Sequence, residues 1–165
     1  MNNDVQQDFR TAMRSLAATV CIVSIAGQDG WNGMTATSVT SVSMDPASVL
    51  VCINSSASLH APLTAGARFC INILKTSQIP HAGAFSTKQL QGAARFAGGD
   101  WQADALGLPY LADAQANLLC TIDMAVPYGT HTIFIGRVDA VRVADTVSPL
   151  LYADGSYSAS TRIAA

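Results

Sequence analysis

The segment Ser48-Val49-Leu50-Val51-Cys52-Ile53-Asn54 is apolar at every position between its polar ends, hence on both faces of the strand it forms. A strand covered on each side belongs at the centre of a barrel or a sandwich. Asp45-Pro46 just before it makes a turn. Upstream, a return strand starts near Trp31 and runs, with a bend, through Met34-Thr35-Ala36-Thr37-Ser38-Val39 to Met44. It leaves the hairpin turn Gly27-Gln28-Asp29-Gly30, whose two glycines are available for positive φ, and that turn closes a buried strand over residues 19–26. At the amino end, Asp4 and Gln7 have the spacing of a capping box, and Phe9, Met13 and Leu16 lie on one helical stripe.

Downstream, the small polar run Asn54-Ser55-Ser56-Ala57-Ser58 leads into a short helix over residues 59–67. Residues 68–74 form a strand with Phe69, Ile71 and Ile73 on one face and Cys70, Asn72 and Leu74 on the other. The pattern weakens from Lys75 to Ala116, a stretch of short helical pieces that reads as an excursion around the barrel. Leu118, Cys120, Ile122, Met124 and Val126 then alternate with their neighbours, Pro127-Tyr128-Gly129 turns the chain, residues 131–143 form the longest strand, and a last one surrounds Leu150-Leu151-Tyr152. Six or seven strands, one framing helix and a helical insertion predict a mainly β fold closed into a small antiparallel barrel, a single domain over residues 1–165. The connections are too short for the crossover helices of a doubly wound parallel sheet.

Half of the 165 residues are apolar and 12% are charged, which excludes disorder. So little charge also predicts that part of the surface is covered by a second copy of the chain, a homodimer. The net charge of −2 argues against a partner that is nucleic acid. No apolar tract is long enough to span a membrane. The start Met1-Asn2-Asn3-Asp4 lacks the basic and apolar regions of a secretory signal, and Cys21, Cys52, Cys70 and Cys120 sit singly inside apolar runs as reduced thiols; both predict a cytoplasmic chain. His60, His81 and His131 are far apart and show no ligand spacing, so no metal site is expected.

The sequence carries no GxGxxG, P-loop, HExxH or GxSxG motif. Two polar stretches stand out instead. Thr35, Ala36, Thr37 and Ser38 interrupt an apolar strand, as a solvent-facing edge or as a ledge of hydroxyls and amides for a planar heterocycle. Asn54-Ser55-Ser56-Ala57-Ser58 precedes a helix, as an ordinary N-cap loop or as an anion site at the helix start. Together, a ledge for a ring and a site for a phosphate suggest a mononucleotide cofactor. His131 opens an apolar strand, as a half-exposed residue or as one facing a pocket.

Phe9-Arg10 with Met13, the run from Gly33 through Met34-Thr35-Ala36-Thr37-Ser38-Val39-Thr40-Ser41-Val42-Ser43-Met44-Asp45-Pro46, and Val49-Leu50-Val51-Cys52-Ile53-Asn54 closely resemble the flavin reductase family. So do Phe69-Cys70-Ile71-Asn72-Ile73-Leu74, Arg95-Phe96 ahead of Trp101, Gly129-Thr130-His131 running into Phe134-Ile135-Gly136, and Pro149-Leu150-Leu151-Tyr152. The resemblance covers nearly the whole chain in order. It implies a split β-barrel, usually a homodimer, that uses NADH or NADPH to reduce FMN or FAD for a separate flavin-dependent oxygenase component, as the reductases of two-component monooxygenases do. Carried over, it puts Thr35, Ala36, Thr37 and Ser38 on the flavin ring, Cys52, Ile53 and Asn54 along its other edge through their backbone, and Ser58 near the phosphate, with Ser55 and Ser56 as alternatives. Phe85 would cover part of the flavin, His131 would sit beside the nicotinamide as the catalytic residue, and Tyr157 would help close that pocket.

Hydride transfer between two stacked rings needs no side-chain acid or base, only near-attack placement at ~3–3.5 Å. That fits a chain with no triad. A split-barrel oxidase that retains FMN calls for more cations than the nine basic residues here, and a non-enzymatic flavin-binding barrel would oxidise no NADH. The lack of a basic cluster leans toward NADH over NADPH, because a 2′-phosphate recruits Arg.

Overall fold

The computed structural model describes residues 2–164. Helix α1 (Asn2–Arg14) leads into β1 (Ala18–Thr19), β2 (Cys21–Gly27), β3 (Gly30–Ala36), β4 (Val39–Met44) and β5 (Ala47–Asn54). Helix α2 (His60–Thr64) and β6 (Phe69–Ile73) follow. The excursion contains α3 (Ile79–Ser86), a 3₁₀ turn at Gly92–Phe96, β7 (Trp101–Ala103) and β8 (Pro109–Leu111). Long strands β9 (Ala116–Tyr128) and β10 (His131–Val143) precede β11 (Leu150–Ala153) and β12 (Ser156–Ala159).

Seven strands form one antiparallel sheet in the order β3-β2-β6-β9-β10-β5-β4. Its two outer strands, β3 and β4, are consecutive in the chain, so the sheet curls round on itself at Thr37-Ser38. There the Cys52 N–H donates to the Ser38 carbonyl (3.1 Å). Period-two alternation sorts the side chains. Val23, Ile25, Val51, Ile53, Phe69, Ile71, Cys120 and Phe134 fill the barrel, closed by Leu59 and Leu63 around α2. The opposite face of β2 and β6 contributes Ile22, followed by Leu74, to a second cluster with Val20, Ala82, Phe85, Leu111 and Leu150.

That second cluster fastens the excursion to the barrel, and buried Asn72 fixes its register. Its amide donates to the Ile22 carbonyl and Ser24 Oγ, both at 2.9 Å, and its Oδ1 accepts from the Leu111 N–H (2.8 Å) and Asn117 Nδ2 (2.9 Å). Ser24 Oγ donates in turn to the Pro109 carbonyl (2.7 Å). A buried amide with both ends engaged tolerates one arrangement of its neighbours. Among the described residues no buried side-chain polar atom lacks a partner.

The structure corrects several local expectations. Asp4 lies inside the first turn of α1, which begins at Asn2, so it is no cap. The strand over residues 19–26 is broken at Val20, whose N–H donates to Leu150 O and whose carbonyl accepts from Leu74 N as the chain passes from the small β1-β11-β12 sheet to the large one. Of the two hairpin glycines only Gly30 has positive φ (+105°). The turn after β9 is Gly129-Thr130, with Tyr128 still paired to His131. Most tellingly, β5 is covered within the chain on one face only: Val49, Val51 and Ile53 are buried, whereas Leu50 and Cys52 are half-buried.

Candidate flavin site

Strand β3 is an outer strand of the sheet, and its free edge would be an open template for pairing. The excursion covers it. Arg95 anchors that cover with all of its nitrogens: Nε donates to Leu90 O (2.8 Å), Nη2 to Thr87 O (2.9 Å) and Nη1 to Gly33 O. Gly33 is required there, because a Cβ would meet the Phe85 ring at 2.7 Å. Phe85 packs in turn against Phe96 and Trp101 (ring centroids 4.9 and 5.2 Å).

Between β3, the cover and the loop after β5 lies a cavity of about 560 Å³. Asn32, Met34 and Thr35 line it from β3, Ser56, Ala57 and Ser58 from the loop, Phe85 and Ser86 from α3, and Lys88 and Arg95 from the segment beyond. Thr35 and Ser86 also border a recess of about 300 Å³ with Ala36, Thr37, Tyr152 and Tyr157. The two spaces adjoin at Thr35 and Ser86, which line both. Tyr152 and Tyr157 meet edge-on (5.6 Å, 71°) as the far wall of the recess.

Cavity, recess and loop thus bring together Thr35, Ala36, Thr37, Ser58, Phe85 and Tyr157. The hydroxyls of the ledge are not equivalent. Thr35 Oγ1 donates to Ala82 O (2.8 Å) and Ser38 Oγ to Cys52 O (2.9 Å), whereas Thr37 is exposed toward the recess with no such partner among the described residues. Ser38 lines the neighbouring groove under α1 instead. Phe85 is 1% exposed, a packed wall of the site.

The loop after β5 is built from its own side chains. Asn54 Oδ1 accepts from the Ser56 N–H (2.9 Å) and Ser56 Oγ (2.8 Å), and Asn32 Nδ2 donates to Ser58 Oγ (3.3 Å). Helix α2 starts at His60 with Leu59 in the N-cap position, so the serines cap nothing, and five residues make too short a helix to supply a strong dipole. An anion at this end meets serine hydroxyls and Lys88, an exposed ammonium with no ion pair among the described residues. Arg95, by contrast, has its donors committed to carbonyls, and burial lowers its pKa.

Cys52, Ile53, Asn54 and His131 do not line the cavity. Ile53 is wholly buried in the barrel. His131 is exposed at the start of β10, paired across to Asn54, with Nδ1 2.9 Å from Thr130 Oγ1. It is nevertheless tied to the loop, because the Ser55 N–H donates to Thr130 O (2.9 Å). Reading the sequence missed Asn32, Ser86, Lys88 and Tyr152. A polar residue inside a strand signals Asn32; nothing local distinguishes Lys88. Among the described residues no His, Cys, Asp and Glu group could hold a metal ion, and no helix is long and apolar enough to cross a membrane.

Residues 13–161 match the family described as flavin reductase like domain. The chain belongs to the flavin reductase family. This reductase is 43% identical over 159 residues to the reductase component of an FADH(2)-dependent resorcinol hydroxylase from a Rhizobium species, covering 95% of this chain and 88% of the relative. It is 37% identical over 153 residues to the FMN reductase (NADH) RutF of Stutzerimonas stutzeri, covering 93% and 87%. Among solved structures, an NADH:FAD oxidoreductase of Streptomyces globisporus matches with a TM-score of 0.88 at 29% identity over 100% of this chain and 93% of that one. The split-barrel, mainly β fold of the reductase is the one the sequence led us to expect.

Proposed function

We propose that this flavin reductase oxidises NADH and reduces FMN or FAD, releasing reduced flavin to a separate flavin-dependent oxygenase component. The observation that carries the reading is the pair of adjoining cavities beside β3, one walled by Tyr152 and Tyr157 and the other bringing serine hydroxyls together with Lys88. These residues fit a flavin nucleotide. Ala36 and Thr37 would lie along the isoalloxazine, Tyr152 and Tyr157 would limit its far side, and Ser56, Ser58 and Lys88 would receive the phosphate. Bound together, the two substrates supply the chemistry themselves, hydride passing from nicotinamide C4 to flavin N5.

The protein's part is placement. Phe85, held by Phe96 and Trp101, gives the site a rigid wall, and the Arg95 staple keeps the cover on β3. His131 is positioned by Thr130 and joined to the serine loop through Ser55, which suits it to orient the nicotinamide rather than to donate a proton. With Arg95 engaged, Lys88 is the one cation lining the cavity that is free to meet a phosphate, so flavin is held loosely enough to leave. The same scarcity of cations favours NADH over NADPH.

The working form is a homodimer. Val5, Phe9 and Met13 on α1 and Leu16 just beyond its end are 72%, 62%, 45% and 63% exposed, and Leu50 and Cys52 on β5 are only half-buried within the chain. Cytoplasmic residence belongs to the same reading, supported by four free cysteines, three of them buried, with burial pushing the Cys21 and Cys120 thiols up to about 12. Steady-state oxidation of NADH and NADPH with FMN, FAD and riboflavin as separate acceptors tests the activity. NADH oxidation that depends on added flavin is expected, and none with any flavin overturns the reading.

A further inference from the structure

Lys88 is exposed on an irregular stretch, residues 87–91, that joins α3 to the 3₁₀ turn at Gly92–Phe96. Such a stretch has no helix or ladder of its own to fix it, and an ammonium carried on it sweeps a wide volume. A single side chain fixes it from outside. Arg95 donates to the carbonyls of Thr87 and Leu90, which bracket Lys88 in the chain, and to the carbonyl of Gly33 across on β3. Gly33 stands between Asn32 and Met34, and both of these line the same cavity as Lys88. Thr87 Oγ1 adds a local brace by accepting from the Gln89 N–H (3.2 Å). Among the described residues no carboxylate pairs with Arg95.

We propose that Arg95 is the positioning residue for Lys88, setting the reach of that ammonium to the flavin phosphate and with it the preference for a phosphorylated flavin over riboflavin; the assignment rests on the flavin reductase reading above. A guanidinium suits the task. Its planar fork of N–H donors engages several acceptors at once in fixed directions, which one ammonium on a flexible stem cannot copy. The acceptors are neutral carbonyls, so the tie holds where salt would screen an ion pair. The influence passes through the backbone at Thr87 and Leu90 and meets the ligand only at Lys88.

The test is a double-mutant cycle on flavin binding, read without turnover. Fluorescence titration with FMN and with riboflavin gives the ratio of their dissociation constants in the unmodified protein, Arg95→Lys, Lys88→Ala and the double variant, each checked by circular dichroism. Arg95→Gln, uncharged but with an N–H donor group of its own, is run beside them in case the lysine variant does not fold. FMN should bind several-fold more tightly than riboflavin to the unmodified protein. Arg95→Lys keeps the charge and loses the fork, and should cut that preference several-fold. The double variant should show the same preference as Lys88→Ala alone, because a residue that acts through Lys88 has nothing to position once the lysine is gone. Effects that multiply in the double variant mean that Arg95 meets the phosphate itself, and overturn the inference. So does a substitution at Arg95 that keeps the full preference, or one that weakens both flavins equally. A protein that reduces flavin with NADH yet binds FMN no better than riboflavin overturns this role and leaves the reductase reading. The expected cycle in a protein that oxidises no NADH leaves the role and overturns that reading.

Discussion

At the scale of single residues, the proposed function gives His131 and Lys88 separable duties. The His131 imidazole is exposed, held by Thr130 and coupled to the serine loop, whereas Lys88 lines the cavity as an exposed cation with no ion pair among the described residues. His131→Ala should slow flavin reduction several-fold to tens of fold, or raise the KM of NADH to that extent, with flavin affinity nearly unchanged. Losing one polar contact costs ~0.5–1.5 kcal/mol, and a tenfold rate change is ~1.4 kcal/mol. Single-turnover stopped-flow with NADH varied reads this directly. Lys88→Ala should raise the KM of FMN several-fold and leave riboflavin, which lacks the phosphate, unchanged, and the difference should shrink as salt is added. The ledge was legible in the sequence because Thr35, Thr37 and Ser38 interrupt an apolar run. Which of them is free was not, because Thr35 is engaged by Ala82 and Ser38 by Cys52, partners 47 and 14 residues away.

At the scale of elements, the Arg68–Asp104 pair (2.9 Å) is the ion pair among the polar ties that hold the excursion to the barrel. Burial pushes the Asp104 pKa up, but the Leu108 N–H, the Arg68 guanidinium and the Leu106 N–H outweigh it, and the net effect holds the carboxyl below its usual value. A carboxylate so depressed contributes stability above its unfolded pKa of ~3.9 and loses that contribution as pH falls through the lower folded value. Asp104→Asn should therefore destabilise the protein at neutral pH by about 1–3 kcal/mol and flatten its acid limb, measured as denaturant midpoints against pH. Strands β6 and β9 were readable from period-two alternation, and β2, β5 and β10 from apolar runs bounded by turns. The short strands β7, β8 and β12 were not, since three or four residues carry too little periodicity, and the small sheet at Val20 depends on a strand more than 100 residues later. The serines after β5 were readable as a polar loop, but their distance from the start of α2 was set by the packing of Leu59.

At the scale of the whole molecule, the uncovered stripe of α1 and the outer face of β5 bear on assembly. A dimer should give light scattering near twice the chain mass of 17.2 kDa at micromolar concentration. The double change Phe9→Asp and Met13→Asp should lower that mass toward one chain, and an unmodified protein that is monomeric at full activity would remove the dimer from the account. The sparse charge pointed to such cover in the sequence, yet only the structure shows which faces remain open. The central claim is that the adjoining cavities beside β3 bring NADH and flavin together and then let the flavin go. Its most direct test is anaerobic stopped-flow mixing of the purified protein and FMN or FAD with NADH, followed by gel filtration of the products. The account predicts one flavin reduced per NADH oxidised, no NADH oxidation without added flavin, and reduced flavin that elutes apart from the protein; flavin that binds but is never reduced, or that stays on the protein throughout, would contradict it.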